Sequence, residues 1–386
     1  MLIFYQHQPN KAVFLSFFIY AFSLGTLFPR LGDLQTQMDI DKATLGFALL
    51  GLPLGVQLTL LIADRIVKKI RFPIILIIGI PVLSASQCFA AFFLNPIFFA
   101  GILVIGGAAI AIIEVAVNLE ADRVEARVSK RIMNRAHAFW SFGFFAAGFV
   151  GAGFSQLRVP PFFHFLVVTL ILTFLTYLLF SRYESAKPRR KNLVIKKKSF
   201  VWPSQAIFML VLFSISAMLV EGSSIDWSVI FMRDIFNTSP LISGLALALA
   251  AMAQGCVRYF ADQFVNKYGS KKVSFQSLLS MLAGVICVTF SLTPGMAILG
   301  FLLMGAGSAV IFPLAISAAA QSSEKTPEEN IACLSQFVFI IFLLGPPILG
   351  FVGEYLGLRW SFALCIPLLL LSFLTISSLD MQKNNR

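Results

Sequence analysis

Charge is scarce in this sequence. Of its 386 residues only 12% are Asp, Glu, Lys or Arg, whereas 58% are hydrophobic and 41 are Phe. In a soluble domain roughly a quarter of the residues are charged. The composition excludes an ordinary water-soluble globule and favours a chain whose solvent is lipid.

Cysteine and histidine are scarce as well. The residues of both types lie scattered and form no CxxC pair: Cys88, Cys256, Cys287, Cys333, Cys365, His7, His137 and His164. This pattern argues against a disulfide framework or a metal site, so we expect no cofactor. The sequence also lacks the GxxxxGK[ST] loop that would be direct evidence for an ATPase. Its polar loops hold no catalytic constellation, so we do not expect an enzyme.

The basic residues sit in short gaps between apolar runs. A formal net charge of +12 would suit a nucleic-acid-binding protein, but such a protein concentrates its charge on a polar domain. Basic gaps between apolar runs are typical of the loops of a polytopic membrane protein. The expected partners are therefore the lipid bilayer and a small-molecule substrate, and no nucleic acid.

Twelve apolar runs are long enough to cross a bilayer, which takes about 20 residues each. The run after Lys11 lacks a small-x-small cleavage site, so it is interpreted as a first span and not as a signal peptide. The predicted spans cover residues 11–31, 43–63, 73–93, 97–119, 134–155, 161–180, 204–225, 241–261, 274–292, 296–319, 332–352 and 360–378. The predicted fold class is an all-α membrane protein.

The loops alternate in charge. Of the 30 Lys and Arg residues, 24 fall at the termini or in loops on the N-terminal side of the membrane, five fall on the other side, and Arg258 lies within a span. Because basic loops stay in the cytoplasm, we predict a multi-pass protein of a bacterial inner membrane with both termini cytoplasmic. The predicted domains are an N-terminal six-helix bundle over 1–180, a basic cytoplasmic linker over 181–203 and a C-terminal six-helix bundle over 204–386.

The two halves repeat each other at an offset of 198 residues. Pairs of identical residues align at that offset: Gly46 with Gly244, Asp64 with Asp262, and Gly107 with Gly305. One shared offset across three helices predicts two similar bundles, the parallel repeat of one class of secondary transporter.

The segments that follow the second and eighth spans resemble the loop signature of the major facilitator superfamily, an Asp with basic residues between helices two and three. The resemblance implies that superfamily's fold, twelve transmembrane helices in two pseudo-symmetric bundles. A carboxylate at a helix C-terminus opposes the helix dipole and favours donors on a neighbouring helix. Asp64, Arg65, Arg258 and Asp262 are therefore candidate gating residues. The alternative is a local salt bridge, for instance between Arg258 and Asp262.

Ionisable residues inside spans are costly and call for a reason. Three acids are candidate proton-coupling groups: Glu114 in the fourth span, Glu221 in the seventh, and Asp226 near the outer end of the seventh. Glu221 begins a polar stretch with Gly222, which predicts a broken or kinked helix end beside a cavity. The alternatives are structural hydrogen bonds for the two glutamates and a helix cap for Asp226.

Other polar and aromatic side chains in the spans are candidate substrate-binding residues. Asn118 shares a helix face with Glu114, and three residues share a face at the start of the fifth span. The full set is Asn118, His137, Trp140, Ser141, Arg30, Gln57, Trp227, Gln254 and Gln336. The alternatives are outward snorkelling for Arg30, the aromatic belt for Trp227 and a loop hydrogen bond for His137.

The fourth and fifth spans resemble the fucose permease branch of the superfamily. That branch carries E-x-A-x-N in its fourth helix, matched here from Glu114 to Asn118, and N-x-A-x-x-x-x-S-x-G in its fifth, matched from Asn134 to Gly143. The resemblance implies proton-coupled uptake of a sugar or polyol, with Glu114 as the protonatable group and Asn118 in the cavity wall.

The seventh span carries a second resemblance and the first span a departure. The stretch from Glu221 to Ser228 is similar to MosC-type and YbjJ-type permeases. Fucose permease has a first-helix Asp four residues before a Pro; here the Pro matches Pro29 and the Asp position holds Gly25. Proton coupling would then rest on Glu114 alone or with a seventh-span acid.

The resulting hypothesis is a monomeric secondary transporter that works by alternating access and takes up a small polar solute with protons. Trp140 and Trp227 are candidate ring-stacking surfaces. The alternative is a drug or metabolite efflux antiporter of the same fold with a more apolar cavity. A non-transporting receptor or membrane enzyme is a third, less favoured class.

Overall fold

The helices begin where the sequence supplies caps. Asp41 Oδ1 accepts a hydrogen bond from the Thr44 backbone N–H at 2.6 Å, and Asn95 Oδ1 accepts one from Ile97 at 2.8 Å. The Thr44 bonds hold the pKa of Asp41 below its usual range. Pro follows directly at the first position of several helices, where its missing N–H costs nothing.

The computed structural model describes residues 9–129, 131–187, 202–322 and 327–379, without the side chains of residues 64, 327, 328 and 332. In these ranges every regular element is helical. We number the spans α1 (Pro9–Met38), α2 (Lys42–Leu49 and Gly51–Lys69), α3 (Phe72–Ala90), α4 (Pro96–Val128), α5 (Met133–Gln156), α6 (Pro161–Phe180), α7 (Gln205–Phe236), α8 (Pro240–Tyr268), α9 (Ser270–Thr289), α10 (Pro294–Ser308 and Ile311–Gln321), α11 (Pro327–Val338 and Ile340–Val352) and α12 (Leu358–Ala363 and Cys365–Thr375).

The last two spans form a hairpin. Among the described residues, eleven helical stretches are long and apolar enough to cross a membrane, and the last of them has 51 residues. At 1.5 Å per residue it would reach roughly 75 Å, more than twice the apolar thickness of a bilayer. The chain instead turns at Gly353–Gly357, where Gly357 has φ +98°. Ser361 Oγ then donates to the Leu349 carbonyl at 2.8 Å, so the twelve predicted spans are present.

Several helices run further than the sequence predicted, and α4, α7 and α8 show the reason. The predictions ended α4 at residue 119, α7 at 225 and α8 at 261, but the helices continue to Val128, Phe236 and Tyr268. A hydrophobic run ends where the membrane ends, whereas a helix ends at a terminator. Here the terminators are Ser129 (φ 53°), Asn237 (φ 51°) and Gly269 (φ 82°). The broken helix end expected around Gly222 is therefore wrong, because α7 is continuous there.

The internal repeat is visible in the packing. Gly107 of α4 lies against the Leu52 carbonyl of α2, and Gly305 of α10 lies against the Ala250 carbonyl of α8. Leu52 and Ala250 are themselves separated by 198 residues. A Cβ at either glycine would overlap the facing oxygen, so both bundles use glycine for the same close helix contact.

The two bundles meet along two interfaces. On one side α5 packs against α8, with Gly148 facing Ala248 and Gly244 facing Ala152. On the other side α2 meets α11, and these contacts concentrate in the first segment of α2, where Gly46 faces the Pro346 carbonyl. We call the membrane side of the loops after α2, α4, α6 and α8 the basic face, and the other side the opposite face.

Candidate functional site

A polar chain begins in the N-terminal bundle at Glu114. Asn118 Nδ2 donates to Glu114 Oε1 at 2.8 Å, one helical turn away on α4. His137 Nε2 lies 3.2 Å from Asn118 Oδ1, an acceptor, so this contact requires the hydrogen on Nε2. Tyr20, buried on α1, lies close enough to Glu114 to interact with its carboxyl. Three helices thus hold a half-buried carboxyl and an imidazole in one connected group.

The polar chain continues at the interface between the bundles. Ser141 Oγ, on α5, donates to Gln254 Oε1 of α8 at 3.0 Å and accepts from Arg258 Nη1 at 3.1 Å. Arg258 Nη2 reaches Glu221 Oε2 of α7 at 3.4 Å, with the two side chains 13% and 10% exposed. Gln254 Nε2 donates onward to Ser308 Oγ of α10 at 3.2 Å. The guanidinium therefore bridges both bundles and pairs with a carboxylate.

Arg258 also interacts with the polar residues of the N-terminal bundle. It lies close enough to Glu114 and His137 to interact with them electrostatically. A cation between two carboxyls can compensate the charge of either one. A proton on one of the carboxyls would release Arg258 toward the other.

A small cavity lies beside Glu221 of the Arg258–Glu221 pair. Its volume is about 20 Å³, room for one or two water molecules. Polar groups of Glu221, Ser224, Gln254 and Ser308 share its wall with apolar side chains. The apolar part consists of Trp140, Phe144, Ile225, Leu247, Ala250, Ala251 and Gly305.

The remaining α7 candidates lie elsewhere. Asp226 is five residues beyond Glu221, about 140° around the helix, and lies in the helix interior instead of capping its end. Trp227 is fully buried and packs against Gly350 of α11. Its ring is therefore neither in an aromatic belt nor at the cavity in this structure.

The described contacts do not connect three further candidates, Arg30, Gln57 and Gln336, to the polar chain that runs from Glu114 to Glu221. Arg30 is buried and does not snorkel: its Nε donates to Asp33 at 2.5 Å and its Nη2 donates to the Val159 carbonyl at 2.5 Å. Gln57 is half-buried in α2, and Gln336 is exposed on α11.

The predicted gating residues separate into two groups. Asp262 Oδ1 accepts from Asn134 Nδ2 at 2.6 Å, a contact between the bundles near the basic face. Arg258 pairs with Glu221 and not with Asp262, so the local salt bridge considered from the sequence is absent from the described contacts. Arg65 is exposed, and the side chain of Asp64 lies outside the described part of the chain.

The opposite face carries a contact set that sequence reasoning missed. Lys42 Nζ of α2 lies 3.3 Å from Asp234 of α7 and 3.7 Å from Glu354 after α11. Arg233 donates to the Gly32 carbonyl at 2.8 Å and to Gln35 Oε1 at 2.7 Å. We call Lys42, Arg233, Asp234 and Glu354 the opposite-face latch. The available signal was that Lys42 and Arg233 are two of only five basic residues predicted on that side.

Comparisons with known proteins agree with this architecture. The family model described as Major Facilitator Superfamily matches residues 13–228 and 222–382. The chain belongs to the major facilitator superfamily, and it is a multi-pass membrane protein of the transporter class.

Two relatives align over nearly the whole chain. An uncharacterized transporter of Sinorhizobium fredii, y4wD, is 28% identical over 357 residues, covering 92% of this chain and 93% of its own. Membrane protein MosC of Rhizobium meliloti is 22% identical over 362 residues, covering 90% and 84%. The resemblance to MosC-type permeases is thereby confirmed.

Solved structures share the fold. The D-xylose-proton symporter has a TM-score of 0.75 at 11% identity, covering 96% of this chain and 97% of its own. The E. coli fucose:proton symporter has a TM-score of 0.59 at 16% identity, covering 95% and 98%. At these identities the likeness shows the fold alone.

Proposed function

We propose that this protein takes up a small polar solute, such as a sugar or polyol, together with protons by alternating access. The observation that carries the proposal is the polar chain from Glu114 through Asn118 and His137 to the Arg258–Glu221 pair. A carboxyl that changes charge inside a membrane needs a partner that can follow the change, and Arg258 is in place to do so.

In this proposal Glu114 is the principal proton-coupling group, and Glu221 and Asp226 are further ones. Asn118, His137, Trp140, Ser141 and Gln254 bind the solute. The other predicted binding residues would join only in another transport state, since here they are packed elsewhere or lie apart. Two sugar–proton symporters among the proteins of like fold support the solute class.

A second candidate function is proton-driven efflux of an apolar drug or metabolite. The observation that favours it is the cavity wall, in which apolar side chains outnumber polar ones. Indole and phenyl rings there would accept a flat apolar compound as readily as the face of a sugar ring.

We further propose the inner membrane of a bacterium as the location, cytoplasmic termini and a monomeric state. The concentration of 24 of 30 basic residues on one side supports the orientation. Most of the predicted linker over 181–203 lies outside the described residues, and the domain boundaries stay a prediction.

The test is a thermal-shift screen of the purified protein against sugars, polyols, organic acids, amino acids and apolar cations at two pH values. A bound ligand raises the midpoint by mass action. The proposal expects a sugar or polyol hit of pH-dependent strength that Trp140→Ala weakens and Trp360→Ala, a change on the exposed surface, does not. Hits confined to apolar cations would overturn uptake and favour efflux.

A further inference from the structure

A second cavity opens at the basic face, apart from the polar chain. It lies between the end of α2, the start of α3, α4, and the segment that follows α6, and its volume is about 420 Å³. Basic side chains dominate its charged lining: Lys68, Lys69, Arg71, Arg123 and Lys187, opposed there by Glu184. Such a lining favours an anion.

The cavity is built from ordered parts. Glu120 of α4 is fully buried, and its Oε1 accepts from the Tyr183 hydroxyl at 3.0 Å and from the Ala186 N–H at 2.7 Å. Tyr183 packs edge-on against Phe72, with ring centroids 5.6 Å apart. Burial, then the charge of Glu120, raises the pKa of Tyr183, so the phenol stays a donor. These contacts hold the segment after α6 against α3 and α4 and give the cavity a fixed wall.

The cavity also reaches into the apolar layer. Its wall on α4 runs from Arg123 back to Leu119 and Ala116, a distance of roughly 10 Å along the helix axis. Ile70 and Phe72 add apolar surface from the neighbouring helices, and Ile70 is 40% exposed. A ligand that fits must be anionic at the membrane surface and apolar below it.

We propose that this cavity binds the phosphate of an anionic phospholipid headgroup, with the glycerol and upper acyl chains against its apolar wall. A soluble phosphate shares the anionic chemistry but would leave that wall in contact with water. Basic pockets between helices at this membrane face suit such headgroups, and each Lys or Arg near the surface adds about 1 kcal/mol of attraction.

The experiment measures the thermal midpoint of the purified full chain in detergent micelles under three conditions. The micelles contain phosphatidylglycerol, or they contain phosphatidylcholine, or they are free of lipid and inorganic phosphate is added to the buffer. The variant K69Q/R71Q/K187Q removes three cavity charges. The matched control K267Q/K271Q/K272Q removes three charges from the same face in the other bundle, where Lys267 and Lys272 lie over Tyr268. Native mass spectrometry of the wild type in an equimolar lipid mixture gives a second readout that needs no variant.

We expect phosphatidylglycerol, and not phosphatidylcholine, to stabilise the wild type and to be retained in the spectra. The cavity variant should need at least about tenfold more phosphatidylglycerol for the same shift, while the control stays near wild type. Equal losses in both variants, or equal retention of both lipids, would show general surface attraction and overturn the proposal. Stabilisation by inorganic phosphate equal to that by phosphatidylglycerol would assign the cavity to a soluble anion.

Discussion

Arg258 and Glu221 set the chemistry at the scale of single residues. A largely desolvated ion pair such as this one stabilises a fold little, since the cost of removing both charges from water offsets their attraction. Apolar residues of similar size would serve the α7–α8 contact at least as well. An ion pair kept inside the C-terminal bundle, whose Arg258 also donates to Ser141 of the other bundle, is better explained by what its charges do during transport.

The variant Glu114→Gln tests whether Glu114 couples solute transport to proton transport. The amide keeps the size of the side chain and its contact with Asn118, but it cannot release a proton. We expect proton-driven accumulation of the identified solute to fall to the level of passive equilibration, while solute exchange is partly retained. The measurement is uptake into proteoliposomes with and without a pH gradient.

Asp41→Asn is the matched control for Glu114→Gln. It makes the same acid-to-amide change at an exposed helix cap, where Asn serves about as well as Asp. Uptake by this variant should equal that of the wild type. Uphill transport that survives in Glu114→Gln would remove Glu114 from the coupling mechanism.

At the scale of helices, the repeat makes a paired prediction. Gly107→Ala and Gly305→Ala each place a Cβ against the carbonyl of a neighbouring helix. Overpacking of this kind costs about 1–3 kcal/mol, and the two losses should be similar because the contacts correspond. The measurement is the thermal midpoint of each variant in detergent.

Gly101→Ala and Gly295→Ala are controls on the same two helices, because nothing lies within 4 Å of a Cβ at either position. Alanine also has the higher helix propensity. These variants should match or slightly exceed the wild-type midpoint. A similar loss in the controls would mean that helix propensity or lipid contact, and not the Gly107 and Gly305 packing, sets the midpoint.

The helices also show how far sequence reasoning extends. The sixth span was predicted at 161–180 and is observed as Pro161–Phe180, because the apolar run and the helix share their ends there. Where the two ends differ, as in α4 and α7, hydropathy locates the membrane and leaves the terminator unseen. The Glu114–Asn118 contact follows from i, i+4 spacing on one helix.

Contacts between different helices cannot be predicted from the spacing of residues along the sequence. Arg258 and Glu221 are 37 residues apart on neighbouring helices, and nothing in their spacing indicates that they pair. Lys42 and Glu354 are 312 residues apart, and the sequence analysis used Lys42 only as a basic residue on the side with few charges. Spacing reports the face of one helix, whereas packing decides which faces meet.

At the scale of the molecule, the contacts between the bundles are of two kinds. The α5–α8 interface includes close glycine contacts and the Asn134–Asp262 bond near the basic face. The α2–α11 contacts gather toward the opposite face, where the latch adds ion pairs. This arrangement closes the opposite face, so a rocking motion that opens it must break the latch.

Asp234→Asn with Glu354→Gln should therefore favour opening toward the opposite face. The double change removes both acids beside Lys42 Nζ. Partly exposed pairs are worth up to about 1 kcal/mol each, so the open population should rise by up to about thirtyfold. The measurement is the alkylation rate of S224C, in the cavity wall, by an impermeant maleimide added from that side.

Asp33→Asn is the control for the latch, because it breaks the Arg30–Asp33 pair on the same face but within one bundle. Its alkylation rate should stay at the wild-type value. Asp262→Asn weakens the Asn134 contact near the basic face and should shift the same rate in the opposite direction, since opening toward one side closes the other. If all three variants alkylate alike, the ion pairs do not set the balance of states. The packing of Gly46 on the Pro346 carbonyl and of Gly350 on the Lys42 carbonyl would then hold the opposite face closed without the ion pairs.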